Sequence, residues 1–202
     1  DYHIPMGSLF KCFYSEISKR KICKPFLKTD SKRVEYWRSR LNSLGKGPFV
    51  GISWKSPLIS PMRLPNYTEI LEWSPVLSLT DYTFINLQST DFKNDLISVQ
   101  DNFGVEVHNF DELDQYNNLE DVAALCQALD TCISVSTAVA AIAAGVGTHT
   151  KLLSWKQSPW NNLLLAPCGP FVDTYQRNSW ETWDLSFEKL ARDVRSSFTL
   201  NQ

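Results

Sequence analysis

The sequence predicts an α/β fold built on a mainly parallel sheet. From Phe49 onward, short apolar segments alternate with segments whose apolar residues recur at helical spacing, which is typical of parallel strands joined by helices. With 202 residues, 43% of them hydrophobic and 21% charged, the chain has an ordinary globular composition. We therefore expect one substantial core, in one domain or in one domain plus an arm. No apolar segment approaches the roughly 20 residues of a membrane span.

Six short segments have the composition of buried strands. The first begins at Phe49 and is closed by Lys55 and the Ser56-Pro57 breaker, and the second is β-branched and aromatic. The last follows a turn-rich stretch at residues 167–170. The predicted strands are residues 49–54, 82–87, 105–107, 132–135, 151–155 and 171–175.

Three helices are predicted between and after these strands. Apolar residues in segment 119–129 form one helical face, and Asn118 with Asp121 makes a capping pair at its start. Residues 137–144 are almost wholly small and apolar, which indicates a buried helix that ends at Gly145 and Gly147. Residues 187–198 carry the apolar stripe of an amphipathic terminal helix.

Charge divides the chain into two parts. Residues 1–48 hold eleven basic and four acidic residues, a charge of +7, whereas the remainder holds nine basic and eighteen acidic residues, a charge of −9. We therefore predict a basic N-terminal arm or linker at 1–48 and a separate body at 49–202. No nucleic-acid-reading motif accompanies the arm, so a solvated basic surface is favoured over a nucleic-acid site.

The cysteines indicate a cytoplasmic protein with reduced thiols. All five are widely spaced, and no Cys or His pair has the spacing of zinc ligands. Cys126 and Cys132 lie in apolar stretches and are interpreted as small buried hydrophobic residues. With only three histidines in the chain, no structural metal site is expected.

Polar residues follow three of the predicted strands. Lys55 follows the first, Gln88 the second, and Ser136 and Thr137 the fourth. In an open parallel sheet, ligands bind outside the carboxyl ends of the strands, where helices begin. There Lys55 could meet a diphosphate as a point charge, and Gln88 could hydrogen-bond a base or ribose. The plainer alternatives are a solvated lysine and a glutamine that closes a strand.

Residues Ser136, Thr137 and Ala138 are the strongest of these candidates. A helix N-terminus presents unpaired backbone N–H groups and the positive end of the helix dipole, which together suit an anion. The hydroxyls of Ser136 and Thr137 add donors, and the small side chain of Ala138 leaves room for a phosphate. Ser136 could instead be a simple N-cap, and the same donors can serve both roles.

No nucleophile constellation is present in the sequence. The chain has no G-x-S-x-G elbow, no P-loop and no G-x-G-x-x-G, and Gly145-Val146-Gly147 follows a helix rather than a strand. His108 and His149 show no obvious partner carboxylate. We therefore assign no catalytic residue and no metal ligand.

Five motifs occur along the chain, in the order GISWKSP, FINLQSTD, NLEDVAALCQALDTCISVSTAVAAIAAGVG, LLSW and SPW. Together they resemble the C-terminal half of GT-B glycosyltransferase-like proteins. The stronger likeness is to the heptosyltransferase-like domain of bacterial tetratricopeptide-repeat proteins, and a more distant one is to O-GlcNAc transferases. The resemblance implies a Rossmann-like three-layer sandwich, the C-terminal lobe of a GT-B fold. That lobe binds a nucleotide-diphospho-sugar donor and needs neither a metal nor another cofactor.

The resemblance also implies roles for particular residues. The backbone N–H groups of Thr137 and Ala138 would contact the diphosphate, with Ser136 beside them, and Lys55 would neutralise the phosphates. Gln88 and Asp121 would lie near the nucleoside or support the loop that holds it.

The opening segment HIPMGSLFKCF is similar to the segment that leaves the N-terminal lobe in these proteins. We therefore expect the chain to begin where a first lobe ends, with the acceptor site and catalytic base on that lobe. This fragment alone would then be inactive. The implied partners are the nucleotide sugar, the N-terminal lobe and a repeat domain, with no nucleic acid and no membrane.

Three departures from the family pattern leave a second interpretation open. Ser136 stands where an aspartate is usual, Ala141 where a histidine is frequent, and Thr148-His149 replaces a Lys-Pro turn. Such losses weaken donor binding or change its preference. The alternative is a degenerate, non-catalytic module whose basic arm or tryptophan-bearing tail packs on a partner. That tail carries Trp155, Trp160, Trp180 and Trp183.

Overall fold

A six-stranded parallel sheet organises the molecule. The structure, a computed structural model, describes residues 3–17, 24–157 and 171–199. The strands are β1 (Phe49–Ser53), β2 (Thr83–Asn86), β3 (Val107–His108), β4 (Thr131–Val135), β5 (Thr150–Trp155) and β6 (Val172–Arg177). The α-helices are α1 (Met6–Ile17), α2 (Ser31–Asn42), α3 (Ser74–Leu77), α4 (Lys93–Phe103), α5 (Leu119–Ala128), α6 (Ala138–Gly145) and α7 (Asp184–Thr199). Short 3-10 helices at Leu64–Asn66 and Ile70–Trp73 follow β1.

The strands are arranged in the order β3-β2-β1-β4-β5-β6, and every pair of neighbours is parallel. β1 lies at the centre, where Val50 is opposite Phe84 of β2 on one side and Thr131 of β4 on the other. All five residues of β1 are buried. A side chain at Gly51 would collide with Leu87 and Leu129, so glycine is needed for this close packing.

The α/β class predicted from the sequence is confirmed, and each predicted strand is present. β3 is displaced, since it pairs at Val107–His108 rather than at 105–107. The capping pair is also confirmed, because the Asn118 side chain accepts a hydrogen bond from the Asp121 backbone N–H at the start of α5. The chain turns away after α6 at Gly147, whose φ of +91° disfavours other residues. The turn at 167–170 and Trp160 lie outside the described residues.

Helices cover both faces of the sheet, giving three layers. On one face α3 and α7 pack over the strands, with Trp73, Leu77 and Phe187 in the core. On the other face α2, α5 and α6 pack over Phe49, Ile85 and Cys132. Cys126 and Cys132 are buried as expected, and burial raises the pKa of the Cys126 thiol to about 12. Two large apolar clusters, one on each face, therefore hold the sheet between its helices.

Helix α2 belongs to the segment predicted as a basic arm, yet it packs directly on the body. Trp37 and Leu41 are buried against α5 and the sheet. Arg33 and Arg40 form ion pairs with Asp121 and Glu112 at 2.8 and 2.7 Å. A domain boundary at residue 48 stays a prediction, but the basic charge of α2 is matched by acidic side chains of the body.

Arg177, the last residue of β6, joins the C-terminal segment to the loop after β1. Its guanidinium donates to the carbonyl oxygens of Asn178, Ser179, Glu181 and Pro65 at 2.9 to 3.2 Å. It also lies 4.5 Å from the ring centre of Trp183. Trp183 in turn donates its indole N–H to the Tyr67 carbonyl. We call this group, Arg177, Trp183, Pro65 and Tyr67, the C-terminal clamp.

Among the described residues, no helix combines the length and the apolar character needed to cross a membrane.

Replacing Leu41 tests whether α2 is part of the folded body. Leu41→Ala removes a fully buried side chain, so we expect the free energy of unfolding to fall by about 2–5 kcal/mol. The matched control is Leu58→Ala, because Leu58 is 61% exposed. Its effect should stay within about 0.5 kcal/mol. Urea unfolding followed by circular dichroism measures both, and equal losses would contradict the placement of α2 within the folded body.

Candidate functional site

The point where the strand order reverses lies between β1 and β4. The chain leaves β1 toward β2 on one side and leaves β4 toward β5 on the other. Connections that depart in opposite directions open a crevice at the carboxyl ends of the two strands, and ligands of open α/β sheets bind there. Ser53 is paired with Ser134, so Lys55 and Ser136 each lie two residues beyond that pair. The two candidate segments therefore follow adjacent strands at the same edge of the sheet.

Gln88 holds the end of β1 from the neighbouring strand. Its side-chain oxygen accepts hydrogen bonds from the backbone N–H groups of Trp54 and Lys55 at 3.3 and 3.1 Å, and from the Ser53 hydroxyl at 3.3 Å. Its side-chain nitrogen donates to the Thr90 carbonyl at 3.4 Å. Gln88 is only 1% exposed. The structure therefore gives this residue a positioning role at the base of the crevice, below the segment that carries Lys55.

Lys55 forms an ion pair that the sequence did not reveal. Its ammonium lies 2.6 Å from Asp95 Oδ2, in the first turn of α4, and the Trp54 indole N–H donates to the same oxygen at 2.7 Å. The side chains of Lys55 and Asp95 are 29% and 21% exposed, so the pair lies at the solvent boundary. An anion that enters the crevice would compete with Asp95 for the ammonium.

The N-terminus of α6 is capped differently from the sequence interpretation. Thr137, not Ser136, is the N-cap residue, with extended backbone angles (φ −126°, ψ 173°) and no side-chain cap hydrogen bond. The Thr137 hydroxyl lies 3.1 Å from the Ser134 hydroxyl instead. Ser136 and Thr137 are half-buried, and Ala138 is exposed. No side chain therefore caps the start of α6, and the Thr137 backbone N–H donates to the Val135 carbonyl at 2.7 Å.

Asp121 lies apart from these residues, in the first turn of α5. It accepts a hydrogen bond from the Asn118 side chain at 2.6 Å and pairs with Arg33 at 2.8 Å. The hydrogen bond and the charge of Asp121 raise the pKa of the Arg33 guanidinium. This carboxylate is therefore engaged in joining α2 to α5.

Both histidines near the strands have carboxylate partners, contrary to the expectation from the sequence. His108 Nδ1 lies 3.2 Å from Glu106 Oε1, and His149 Nε2 lies 3.0 Å from Asp173 Oδ2. Sequence spacing could not reveal the pair of His149 and Asp173, because His149 directly precedes β5 and Asp173 lies on the next strand, β6. Neither pair borders the crevice between β1 and β4.

Across the described ranges, no three or more His, Cys, Asp or Glu side chains are grouped so that they could hold a metal ion.

Comparison with known proteins identifies one curated relative and several similar folds. No family model matches the sequence. The chain is 33% identical over 172 residues to protein FlbA of Caulobacter vibrioides, covering 84% of this chain and 29% of FlbA. The chain thus spans less than a third of the length of that relative.

Three solved structures share the architecture. The glycosyl transferase family 9 protein of Veillonella parvula has a TM-score of 0.62 and 12% identity, covering 87% of this chain and 54% of that one. The chain has the fold of a family 9 glycosyltransferase lobe. ADP-heptose lipopolysaccharide heptosyltransferase II of Escherichia coli has a TM-score of 0.58 and 13% identity, covering 85% and 54% of the two chains. Heptosyltransferase WaaC of the same organism, with ADP, has a TM-score of 0.55 and 11% identity, covering 74% and 44%.

Substituting Gln88 tests its role in holding the end of β1. Gln88→Leu leaves the backbone N–H groups of Trp54 and Lys55 without their acceptor, and each buried N–H left unpaired costs about 1–3 kcal/mol. We expect a corresponding fall in the free energy of unfolding, measured in urea. Gln100→Leu, at an exposed position of α4, is the matched control. An equal effect of the two variants would contradict the positioning role.

Proposed function

We propose that the chain is the donor-binding lobe of a GT-B glycosyltransferase and holds a nucleotide-diphospho-sugar. The observation that carries this proposal is the strand order, which reverses between β1 and β4 and places Lys55 and the N-terminus of α6 just beyond the carboxyl ends of these two adjacent strands. A lysine and a helix N-terminus at the ends of neighbouring strands can together make a positively polarised site of the kind that phosphates occupy. The shared fold with family 9 glycosyltransferases supports the same assignment.

The chemistry of the proposed site is electrostatic. When a sugar is transferred from a nucleotide diphosphate, negative charge develops on the departing diphosphate. Preorganised donors and positive charges aimed at that group stabilise the transition state. Here the backbone N–H of Ala138, the hydroxyl of Ser136 and the ammonium of Lys55 would supply them. The Thr137 backbone N–H would join them by exchanging its bond to the Val135 carbonyl for a phosphate oxygen. No metal ion is needed for this role.

The nucleoside would lie toward β2, on the other side of Lys55. Gln88 would act there through its hold on the Lys55 segment, since three of its hydrogen bonds are to residues of β1 and the loop that follows. Asp121 would act further out, by joining α2 to the first turn of α5. On this proposal Gln88 and Asp121 hold the segments that surround the site in place and do not contact the nucleotide directly.

The acceptor site and the catalytic base are proposed to lie on a second lobe outside this chain. The transferases with this fold are longer, and the chain covers about half of the Veillonella protein and of heptosyltransferase II. We propose that residues 1–48 form the connection to such a lobe, and that a repeat domain accompanies it in the whole protein. On this proposal the lobe binds a donor but does not transfer sugar by itself.

A non-catalytic module is the second candidate. It is favoured by Ser136 and Ala141, which stand where the heptosyltransferase-like domains that the sequence resembles usually have an aspartate and a histidine. Both positions belong to the proposed phosphate-binding turn and its helix, so their loss bears directly on donor affinity. The basic arm and the exposed Trp180 would then serve a protein partner.

Nucleotide binding distinguishes the two candidates. We expect calorimetry with ADP-, UDP- and GDP-sugars to detect binding of at least one of them, with ADP compounds tested first because WaaC is solved with ADP. Lys55→Met should lower that affinity about tenfold or more, since a hydrogen bond to a charged group is lost. Lys46→Met, at an exposed site beyond α2, is the control. Absence of binding by a folded chain would favour the non-catalytic module.

Substituting Asp95 is expected to raise nucleotide affinity, whereas substituting Lys55 is expected to lower it. Asp95→Asn removes the negative charge beside Lys55 but retains a side-chain oxygen for the Trp54 indole N–H. The ammonium is then free to face a diphosphate, so we expect nucleotide affinity to rise several-fold in the same titration. Asp101→Asn, on an exposed part of α4, controls for the change in net charge. Weaker binding by Asp95→Asn would show that Asp95 orients Lys55 rather than competes for it.

A further inference from the structure

A second cluster of charged side chains lies at the opposite end of the sheet. Lys151 is the second residue of β5 and is paired with Asp173 on β6. Side chains of α7 line the same cavity as these two residues. Lys151 lies four residues before the end of β5 at Trp155, which is about 13 Å along a strand. This cluster is therefore separate from the crevice proposed for the nucleotide sugar.

Lys151 is buried but loosely held by the protein. Its side chain is 2% exposed, and its ammonium lies 3.4 Å from Asp173 Oδ2 and 3.3 Å from the Tyr175 hydroxyl. Both distances are at the long end of hydrogen bonding, and an ammonium has three protons to donate. Burying a charge is costly unless it is well paired and hydrogen-bonded. Within the described residues, Lys151 therefore has an incomplete set of acceptors.

A cavity of about 340 Å³ opens beside this ammonium. Its walls include Tyr175, Lys189, Asp193 and Ser197, and its volume lies at the lower end of the range of small-molecule sites. The Tyr175 hydroxyl donates to Asp193 at 3.0 Å, and the Ser197 hydroxyl donates to a carbonyl of its own helix. Burial and the hydrogen bond to Asp193 raise the pKa of Tyr175, so this phenol stays protonated.

The charges around the cavity are balanced. Lys151 and Lys189 are offset by Asp173 and Asp193, and His149 adds a further contact to Asp173. An ionic ligand of either sign would therefore lie beside like charges as well as opposite ones, and its lost hydration would be poorly compensated. A neutral hydroxyl can accept from an ammonium and donate to a carboxylate, so it suits a lining that carries both kinds of group. The ammonium groups of Lys151 and Lys189 lie over the ring of Tyr175, so the ring is not available for a ligand to stack on.

We propose that this cavity binds a neutral polyhydroxylated molecule of monosaccharide size. Lys151 donates to a ligand hydroxyl from below, and the carboxylates of Asp173 and Asp193 accept from neighbouring hydroxyls. The site is distinct from the donor crevice and does not depend on the proposed function.

Ligand-observed NMR on the full 202-residue chain tests the proposal. The neutral probes are glucose and N-acetylglucosamine, and the charged probes are glucuronate, glucosamine and glycine. Neutral sugars should bind more tightly than any charged probe. Excess ADP should leave their signals unchanged, because the two sites are at opposite edges. Tighter binding of a charged probe, displacement by ADP or no binding of either sugar would overturn the proposal.

Three variants locate the binding. Lys151→Met keeps the apolar stem but removes the donor, and should weaken sugar binding about tenfold or more. Ser196→Phe, on the exposed rim of the cavity, should abolish binding while leaving Lys151 in place. Glu188→Phe, exposed on the same helix but outside the cavity, should leave binding unchanged. Circular dichroism confirms folding, and sugar binding that survives Ser196→Phe would overturn the proposal even if Lys151→Met does not fold.

Discussion

The central position of β1 is the constraint on which the rest of the molecule depends. β1 has a parallel partner on each side, so its backbone hydrogen-bonds to β2 along one edge and to β4 along the other. All of its residues are buried. Connections to β2 and from β4 must then leave in opposite directions. The crevice at the carboxyl edge is a consequence of this strand order and needs no special loop. Lys55 and the start of α6 border it because they are the next residues along those two strands.

Electrostatic complementarity joins the N-terminal segment to this framework. The net charge of −2 conceals a basic segment and an acidic body, and α2 meets the body through the pairs Arg33–Asp121 and Arg40–Glu112. Exposed ion pairs of this kind each contribute little to stability. The larger contribution comes from Trp37 and Leu41, which are removed from water between α2 and α5. The ion pairs determine where α2 lies on the body, and the buried apolar side chains supply most of the free energy that keeps it there.

The sheet could be predicted from the sequence, whereas much of the site could not. Buried strands show as short apolar runs, and the displaced β3 is the one with only two paired residues at the sheet edge. The α2 helix was missed because its stripe of Val34, Trp37 and Leu41 is embedded in a strongly basic segment. Asp95 gave no signal at all, since its partner Lys55 is 40 positions away and only tertiary packing joins them. The carboxyl-edge rule selected Lys55, Gln88 and Ser136 as candidates. Only the structure shows that Gln88 is buried against the end of β1, whereas Lys55 lies at the solvent boundary beside Asp95.

The C-terminal clamp has a consequence for the loop that follows β1. This loop carries Lys55, and a long surface loop would ordinarily sample many conformations that a ligand must restrict at an entropic cost. Arg177 and Trp183 hold the backbone carbonyls of Pro65 and Tyr67 at the far end of the loop, more than a hundred positions earlier in the chain. Part of the conformational entropy of the loop is therefore lost when the chain folds, and does not have to be lost when a ligand binds. The end of β6, the residue before α7 and the loop after β1 are in this sense one preorganised unit.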